Sequence, residues 1–126
     1  MSKTFVLLWM LFNHVLDDYF LQQGILAKLK QKQWWEEHAP QEFYRNDYIM
    51  ALLMHSISWT FMVMLPVAVW MGFRVNELFL TMYGVHVILH MIIDNAKAND
   101  RQINLIHDQI DHIYQILSVF VILVML

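Results

Sequence analysis

Long stretches without a charged residue dominate the hydrophobic pattern of the chain. No Asp, Glu, Lys or Arg lies between Asp47 and Arg74, and this run exceeds the roughly 20 apolar residues that a helix needs to cross about 30 Å of hydrocarbon. The sequence therefore predicts a membrane-spanning helix at residues 48–73. Pro66 lies within it, and we expect a neighbouring helix to satisfy the carbonyl group that this proline leaves free.

Three further charge-free stretches reach membrane length only when carboxylates are included. An isolated carboxylate at the centre of a bilayer costs at least about 2.5 kcal/mol, so such residues usually face the interior of a bundle and mark function. A soluble four-helix protein is the alternative to these spans. The extended spans lie at residues 4–22, 75–94 and 105–126, and their aspartates are Asp17, Asp18, Asp94, Asp108 and Asp111.

Together the four spans predict an all-α fold, a four-helix transmembrane bundle formed by a single domain of residues 1–126. In the 24–47 connection, Ile25 and Leu29 recur at helical spacing beside lysines, and Trp34 and Trp35 follow. This pattern predicts a short interfacial helix between the first and second spans, at the level of the lipid headgroups. An ordinary solvated connector is the alternative interpretation.

Basic residues are unevenly distributed between the two ends of the predicted bundle. The end with the long connection carries six of them, and the other end carries only Lys3 and Arg74. By the positive-inside rule, the long connection is cytoplasmic and both termini lie outside. The six residues are Lys28, Lys30, Lys32, Arg45, Lys97 and Arg101.

Composition limits the chemistry that the chain can carry. Only 15% of its 126 residues are charged, below the roughly 25% of soluble domains. There is no cysteine for disulfides or thiolate metal sites, and the net charge of −3 argues against nucleic acid as a partner. The ten methionines form no ligand cluster, so we expect them to fill packing gaps. Histidines, carboxylates and amides must supply the polar chemistry.

Three histidine–aspartate pairs have a spacing of four residues, which puts both side chains on one helix face. In an antiparallel bundle all three pairs lie toward the cytoplasmic end, as does His55 in the second span. At about 1.5 Å rise per residue, most of these side chains fall within roughly 15 Å of that boundary. The predicted ligands of this metal site are His14, Asp18, His55, His90, Asp94, Asp108 and His112.

Seven potential ligands exceed the three or four of a typical single zinc, so we expect one or two divalent ions. Histidine favours zinc, with iron or manganese as alternatives. A purely structural polar network is the other interpretation. Gln22 and Gln109 are predicted to orient the ligands, while His86 can simply hydrogen-bond a neighbouring helix. Lys97 is predicted to contact a phosphate or carboxylate headgroup, or to anchor its helix at the cytoplasmic side.

Asp17 and Asp111 each lie next to a predicted ligand in the sequence, but neither is itself a predicted ligand. Asp17 points about 100° away from Asp18 on an α-helix, so we expect it at the helix end or behind the ligands. Asp111 is expected to hydrogen-bond a neighbouring helix.

Three ordered motifs resemble a family of small bacterial and phage integral membrane proteins that is known only as a domain of unknown function. They are His14-Val-Leu-Asp-Asp18 followed by Leu21-Gln22, His90-Met-Ile-Ile-Asp94-Asn-Ala-Lys97, and Asp108-Gln109-Ile-Asp-His112. The resemblance covers nearly the whole chain, with His55 at a histidine of the second helix and Lys28 at a lysine after the first. It implies a helical domain in the bacterial cytoplasmic (inner) membrane and the same site residues, with Gln22, Lys97 and Gln109 among them, but no activity.

Two functions fit these residues. The first is a membrane-embedded metal-dependent hydrolase that acts on a lipid or lipid-linked substrate at the cytoplasmic face. Its metals would activate a water, and Asp18, Asp94 or Asp108 would serve as general base. Membrane-bound metal-dependent hydrolases also place histidines and aspartates at helix ends, but this is an analogy of chemistry only. The second is a non-enzymatic metal-binding or polar-core accessory protein that binds a membrane complex. The lipid bilayer is a partner in both, and a homo-oligomer is compatible with both.

Overall fold

A computed structural model describes all residues 1–126 and contains six α-helices and no strand. The predicted all-α class is therefore confirmed. A π-helical turn extends the first helix and another extends the last, while a 3-10 turn precedes the longest helix. The helices are α1 (Lys3–Leu16), α2 (Ile25–Leu29), α3 (Lys32–His38), α4 (Asp47–Trp70), α5 (Glu77–Ala98) and α6 (Leu105–Phe120). The turns are Asp17–Leu21, Val121–Met125 and Glu42–Tyr44.

The four long helices pack in a ring in which α1 contacts α4 and α6, and α5 contacts α4 and α6. The short helices α2 and α3 both pack against α4. The connections from α4 to α5 and from α5 to α6 are too short to cross the bundle, so these neighbours run antiparallel. Trp59 and His55 of α4 contact His14 and Asp18 at the end of α1 and in the π turn after it. The end of α1, the start of α4, the end of α5 and the start of α6 therefore share one end of the bundle.

Local sequence signals set the ends of the long helices. Ser2, Asn76 and Asn104 precede α1, α5 and α6, and each side-chain oxygen accepts a backbone N–H three residues later, at 3.2, 2.9 and 3.0 Å. These are N-caps, which satisfy amides that lack a helical partner. At the end of α4, Gly72 adopts a φ of 63°, and its N–H donates to the Val69 carbonyl at 2.9 Å. Glycine adopts this left-handed conformation without the strain of a Cβ.

Polar and apolar side chains occupy opposite ends of the bundle interior. The end near both termini is apolar, and the other end buries histidine, aspartate and glutamine side chains. Large apolar side chains also cover the outer faces of all four long helices. An apolar exterior around a polar interior is typical of a membrane protein. The apolar core includes Val6, Met10, Trp59, Val63, Met64, Val67, Phe79, Ile116 and Val119, and the exposed residues include Leu8, Phe12, Met54, Phe61, Ile88, Ile92, Ile110 and Tyr114.

Three helices are long and apolar enough to cross a membrane, namely Glu42–Trp70, Glu77–Ala98 and Leu105–Met125. Length and composition therefore fit a membrane protein. The first helix does not meet the same criterion, because polar residues such as Asn13 and Asp18 interrupt its apolar run. The predicted fourth span at residues 4–22 remains a prediction, as does the four-span bundle.

Segment 24–47 contains two short helices where the sequence predicted one. The chain is extended at Gln31, with φ −94° and ψ 118°, and this residue separates α2 from α3. Asn99, directly after α5, explains the interruption, because its amide donates to the Lys30 carbonyl at 3.0 Å and its oxygen accepts the Lys32 N–H at 2.7 Å. Tertiary hydrogen bonds thus replace the bonds of a continuous helix. We call residues 25–38 the strap, since they cross the polar end of the bundle.

Pro66 lies inside α4 without ending the helix. It has no N–H, so the Met62 carbonyl lacks its helical partner. The side-chain amide of Asn13, buried on α1, donates to that carbonyl at 2.7 Å. The expectation that a neighbouring helix satisfies the freed carbonyl is therefore confirmed.

Candidate metal centre

Asp94 lies at the centre of the polar end. Its Oδ2 is 2.9 Å from His55 Nε2 and 2.7 Å from Lys30 Nζ. Its Oδ1 is 3.4 Å from His112 Nε2 and 3.7 Å from His90 Nε2. One buried carboxylate therefore faces groups from the strap, α4, α5 and α6.

Three imidazoles turn their Nε2 atoms toward this carboxylate. The Nε2 atoms of His55 and His90 are 3.0 Å apart, and the ring centroids of His90 and His112 are 4.4 Å apart. Ligand atoms bound at about 2.0–2.1 Å to one tetrahedral zinc lie about 3.3 Å from one another. The nitrogen and carboxylate spacings are therefore close to those of ligands that share an ion.

Neither buried ring nitrogen of His112 has a hydrogen-bond partner, and the Nδ1 atoms of His55 and His90 also lack one. His112 Nε2 has no hydrogen-bond partner, although carboxylate oxygens of Asp94, Asp18 and Asp108 lie 3.4, 3.8 and 3.9 Å away. Buried polar atoms in native proteins are nearly always paired. One imidazole nitrogen and three carboxylate oxygens thus converge, and the nitrogen has no hydrogen bond. This donor set fits a divalent transition metal.

Of the three carboxylates around His112, Asp18 is the one that no lysine contacts. It lies in the π-helical turn after α1, and such turns occur often at functional sites. Its Oδ2 is 3.5 Å from His14 Nδ1, and its Oδ1 is 3.6 Å from His55 Nε2. Its side chain is only 12% exposed and makes none of the observed hydrogen bonds, so its charge has little compensation.

Asp17 is fully buried in the same turn. Its Oδ1 accepts hydrogen bonds from Ser58 Oγ at 2.8 Å and from Gln22 Nε2 at 3.3 Å. Asp17 continues the buried face of Met10 and Asn13 at regular helical spacing. It therefore lies in the interior beside the cluster, where its hydrogen bonds to Ser58 and Gln22 hold it.

His14 lies beside the cluster, with both ring nitrogens engaged. Trp59 Nε1 donates to its Nδ1 at 2.8 Å, and because indole can only donate, that nitrogen carries no proton. The proton is therefore on Nε2, which donates to Gln109 Oε1 at 3.0 Å. In this arrangement His14 offers no free lone pair to a metal, unlike the ligand role that the sequence predicts for it.

Four overlapping groups of three side chains place one ligand atom each within 4.8 Å of one another. Six of the seven predicted ligands occur in these groups, Asp17 is added, and His14 is left out. Overlap of this kind is compatible with one ion or with two ions that share a carboxylate. The groups are Asp18–His90–His112, His55–His90–Asp94, Asp17–Asp18–His55 and Asp94–Asp108–His112.

Two lysines partly neutralise the cluster. Lys30 Nζ is 2.7 Å from Asp94, and Lys97 Nζ is 2.8 Å from Asp108. With both lysines and the carboxylates of Asp17, Asp18, Asp94 and Asp108 ionised, two negative charges remain. One divalent cation would balance them, which satisfies the requirement that buried charges be paired. Lys97 was predicted to contact a headgroup, and here it binds Asp108.

The predicted outer residues occupy different places. Gln22 donates to Ser58 Oγ at 2.6 Å, and Gln109 donates to Asp108 Oδ2 at 3.0 Å. Gln109 therefore holds a candidate ligand directly, and Gln22 holds Ser58, which in turn binds Asp17. His86 lies one turn away from His90 along α5, and its Nε2 is 3.2 Å from Ser118 Oγ, as expected for a histidine that bonds a neighbouring helix.

Sequence reasoning missed Lys30 and Trp59. Nothing distinguishes Lys30 from the neighbouring lysines of the strap until the chain is folded. Trp59 carried a usable signal, because it follows His55 by four residues and so shares its helix face. Its ring stacks on His90 with centroids 4.1 Å apart and planes inclined by 14°, so it separates the cluster from the apolar core.

A cavity of about 70 Å³ adjoins the cluster. At about 30 Å³ per water, it accommodates about two water molecules or one small polar group. A far larger cavity of about 500 Å³ lies at Trp35, Pro40 and Arg45 and touches none of the candidate ligands. The small cavity is lined by Asp18, Tyr19, Lys30, His55, Asp94, Lys97 and Gln109.

Comparison of the chain with known protein families, curated proteins and solved structures finds no match. The function is therefore inferred from the side chains of the cluster and their geometry.

Proposed function

We propose that the chain is a membrane-embedded metal-dependent hydrolase that acts on a lipid or lipid-linked substrate at the cytoplasmic face. The observation that carries this proposal is the unpaired, buried Nε2 of His112 among three carboxylates. His55, His90, His112 and Asp94 would hold a divalent ion, with zinc as the first choice. Asp108 would complete the site of a second ion.

The adjoining cavity supports hydrolysis. A bound metal would supply an activated water and polarise the scissile group. Asp18 lines the cavity, accepts none of the observed hydrogen bonds and belongs to the Asp18–His90–His112 group, so we assign it as a metal ligand beside the position of this water. Trp59 and Gln109 fix the orientation of His14 beside Asp18, as outer hydrogen bonds commonly do around metal sites.

The membrane arrangement belongs to the same proposal. Helix α1 exposes Leu8 and Phe12 while it buries Asn13 and His14, which supports its role as a fourth span. The polar end carries most of the basic residues, which supports a cytoplasmic orientation of this end and external termini. The motif resemblance to small bacterial and phage membrane proteins supports the bacterial inner membrane.

Metal content and hydrolysis, measured on the same samples, test the proposal. Protein purified in detergent without chelator should contain at least one equivalent of zinc, iron or manganese by mass spectrometry. It should also release a water-soluble product from vesicles of bacterial lipids. The double variant His90→Ala, Asp94→Ala removes two ligands from α5 and should lose both properties. His107→Ala removes an exposed histidine whose ring bonds only Asn104, and it should retain both. A double variant with full metal content and full activity would overturn the proposal.

The accessory-protein alternative keeps one specific observation in its favour. Lys30 and Lys97 already pair with two of the four carboxylates, and the adjoining cavity is small. A polar core of this kind can serve specificity of assembly rather than catalysis. Metal-loaded protein that hydrolyses no vesicle lipid, and that co-purifies with a membrane complex in a manner that requires the ligands, would favour this function.

A further inference from the structure

We propose that Lys30 and Lys97 form the substrate-binding side of the centre and that they bind a phosphate group. The inference rests on the proposed function and names its substrate class, a phosphate ester. The phosphate can belong to a lipid headgroup or to a free phosphate compound, and the chemistry of recognition is shared by both.

Both ammonium groups line the same cavity of about 70 Å³. Lys30 reaches it from the strap, and Lys97 reaches it from the last turn of α5. Between them the cavity wall contains Asp18, His55 and Asp94, all candidate ligands, so a bound metal would neutralise the two carboxylates that face the cavity. A phosphate oxygen in this cavity would therefore lie between two cations and a metal, which is a favourable place for an anion.

The strap holds Lys30 in this place by backbone hydrogen bonds. Asn99 binds the backbone on both sides of Gln31, and the indole of Trp35 donates to the Leu29 carbonyl at 2.9 Å. These bonds fix the residues around Lys30, so its side chain is 15% exposed. Lys28, two residues earlier, is exposed, so burial singles out Lys30 as part of the site.

Metal binding would change what these lysines contact. In the structure each ammonium group is bound to a carboxylate that also faces the imidazoles, Asp94 for Lys30 and Asp108 for Lys97. A divalent ion attracts the same carboxylates and shares their charge, so the ammonium groups can turn to an anionic substrate. Lysine suits this role because its ammonium is a flexible point charge with three donors.

The size of the cavity limits what can enter it. About 70 Å³ accommodates one small polar group, which excludes a sugar ring or a peptide. Lys97 is 41% exposed and Tyr19 is exposed, so these residues mark the mouth. The remainder of the substrate would lie outside, at the level of the headgroups.

Calorimetric titration of zinc-loaded protein with inorganic phosphate tests the inference. Lys30→Gln and Lys97→Gln should each weaken phosphate binding about tenfold, as expected for loss of one hydrogen bond from a charged donor. Lys28→Gln makes the same charge change on the strap away from the cavity, and it should bind phosphate within about twofold of the original protein. Lys97→Arg keeps the charge and should retain most of the affinity.

A second arm identifies the source of the phosphate. Protein in nanodiscs of phosphatidylcholine is compared with protein in nanodiscs that also contain phosphatidic acid. If phosphatidic acid competes with inorganic phosphate in the original protein but not in Lys97→Gln, the ligand is a lipid headgroup. If only inorganic phosphate binds, the ligand is a free phosphate compound. Both results support a phosphate site.

Metal content of every sample separates this inference from the proposed function. Protein that holds no metal contradicts the proposed function. Metal-loaded protein whose two lysine variants bind phosphate as the original does contradicts the lysine site alone. Lysine variants that lose their metal also overturn it, because the lysines would then act on the ligands and not on the substrate.

Discussion

Replacement of Asp18 by asparagine should have opposite effects on the metal-free and the metal-loaded protein. Asparagine keeps the size of the side chain and removes its charge. Without metal, the Asp18 carboxylate lies among three imidazoles, 12% exposed and without a lysine partner. Removing an uncompensated, largely buried charge relieves a desolvation cost, so Asp18→Asn should stabilise the metal-free protein.

The magnitude follows from the same geometry. A fully buried, unpaired charge costs several kcal/mol, and partial exposure of Asp18 reduces the expected gain to about 1–2 kcal/mol. With metal, loss of a charged ligand should weaken binding by at least about 100-fold. At saturating metal for the original protein, that loss removes about 2.7 kcal/mol of metal-linked stability. The net effect in the presence of metal is a destabilisation of about 1 kcal/mol.

Thermal unfolding in detergent, once with chelator and once with zinc, measures the change in stability of the metal-free and of the metal-loaded protein. The unfolding temperature of Asp18→Asn should rise by a few degrees in chelator and fall by a few degrees in zinc. Asp111→Asn makes the same chemical change on α6 at a carboxylate outside the four ligand groups, and it should change little in either condition. A shift of the same sign in both conditions would refute the assignment of Asp18 as a metal ligand.

Two further predictions concern the contacts that hold α1 in place. Asn13→Ala leaves the Met62 carbonyl unpaired and should cost about 1–3 kcal/mol, whereas in a Pro66→Ala background, where residue 66 supplies the helical N–H, it should cost less than 1 kcal/mol. A double-mutant cycle of unfolding free energies measures this coupling, and equal costs in the two backgrounds contradict it. Trp59→Phe keeps a stacking ring but removes the donor to His14 Nδ1, so the His14 ¹⁵N shifts should report a mixture of tautomers. Unchanged shifts would show that Gln109 alone sets the tautomer.

The hydrophobic pattern was sufficient to predict helices and their antiparallel order, because long charge-free runs have few other solutions. The spacing of His90 and Asp94 on one helix predicts that they share a face, and both belong to one ligand group in the structure. Such pairs can be predicted from sequence because the α-helical period alone determines which side chains share a helix face, whatever the neighbouring helices are.

Other parts of the site depend on contacts that no local pattern carries. The π turn after α1 has no sequence signature, and the interruption of the strap depends on Asn99, 67 residues beyond Lys32. His14 fits the ligand spacing as well as His90 does, yet Trp59 and Gln109 engage both of its nitrogens. Tertiary hydrogen bonds determine the break in the strap and the role of His14, and a helical period in the sequence cannot predict such bonds.

The hydrogen bond between Asn13 and Met62 helps to fix the axial position of α1 relative to α4. Proline exposes one carbonyl at a single height on α4, and the amide that reaches it stands one residue before His14. A slip of α1 by one turn would move it about 5.4 Å along α4 and leave that carbonyl without a partner. Together with the bonds from Trp59 to His14 and from Ser58 to Asp17, this bond fixes α1 at the depth where the π turn meets His55.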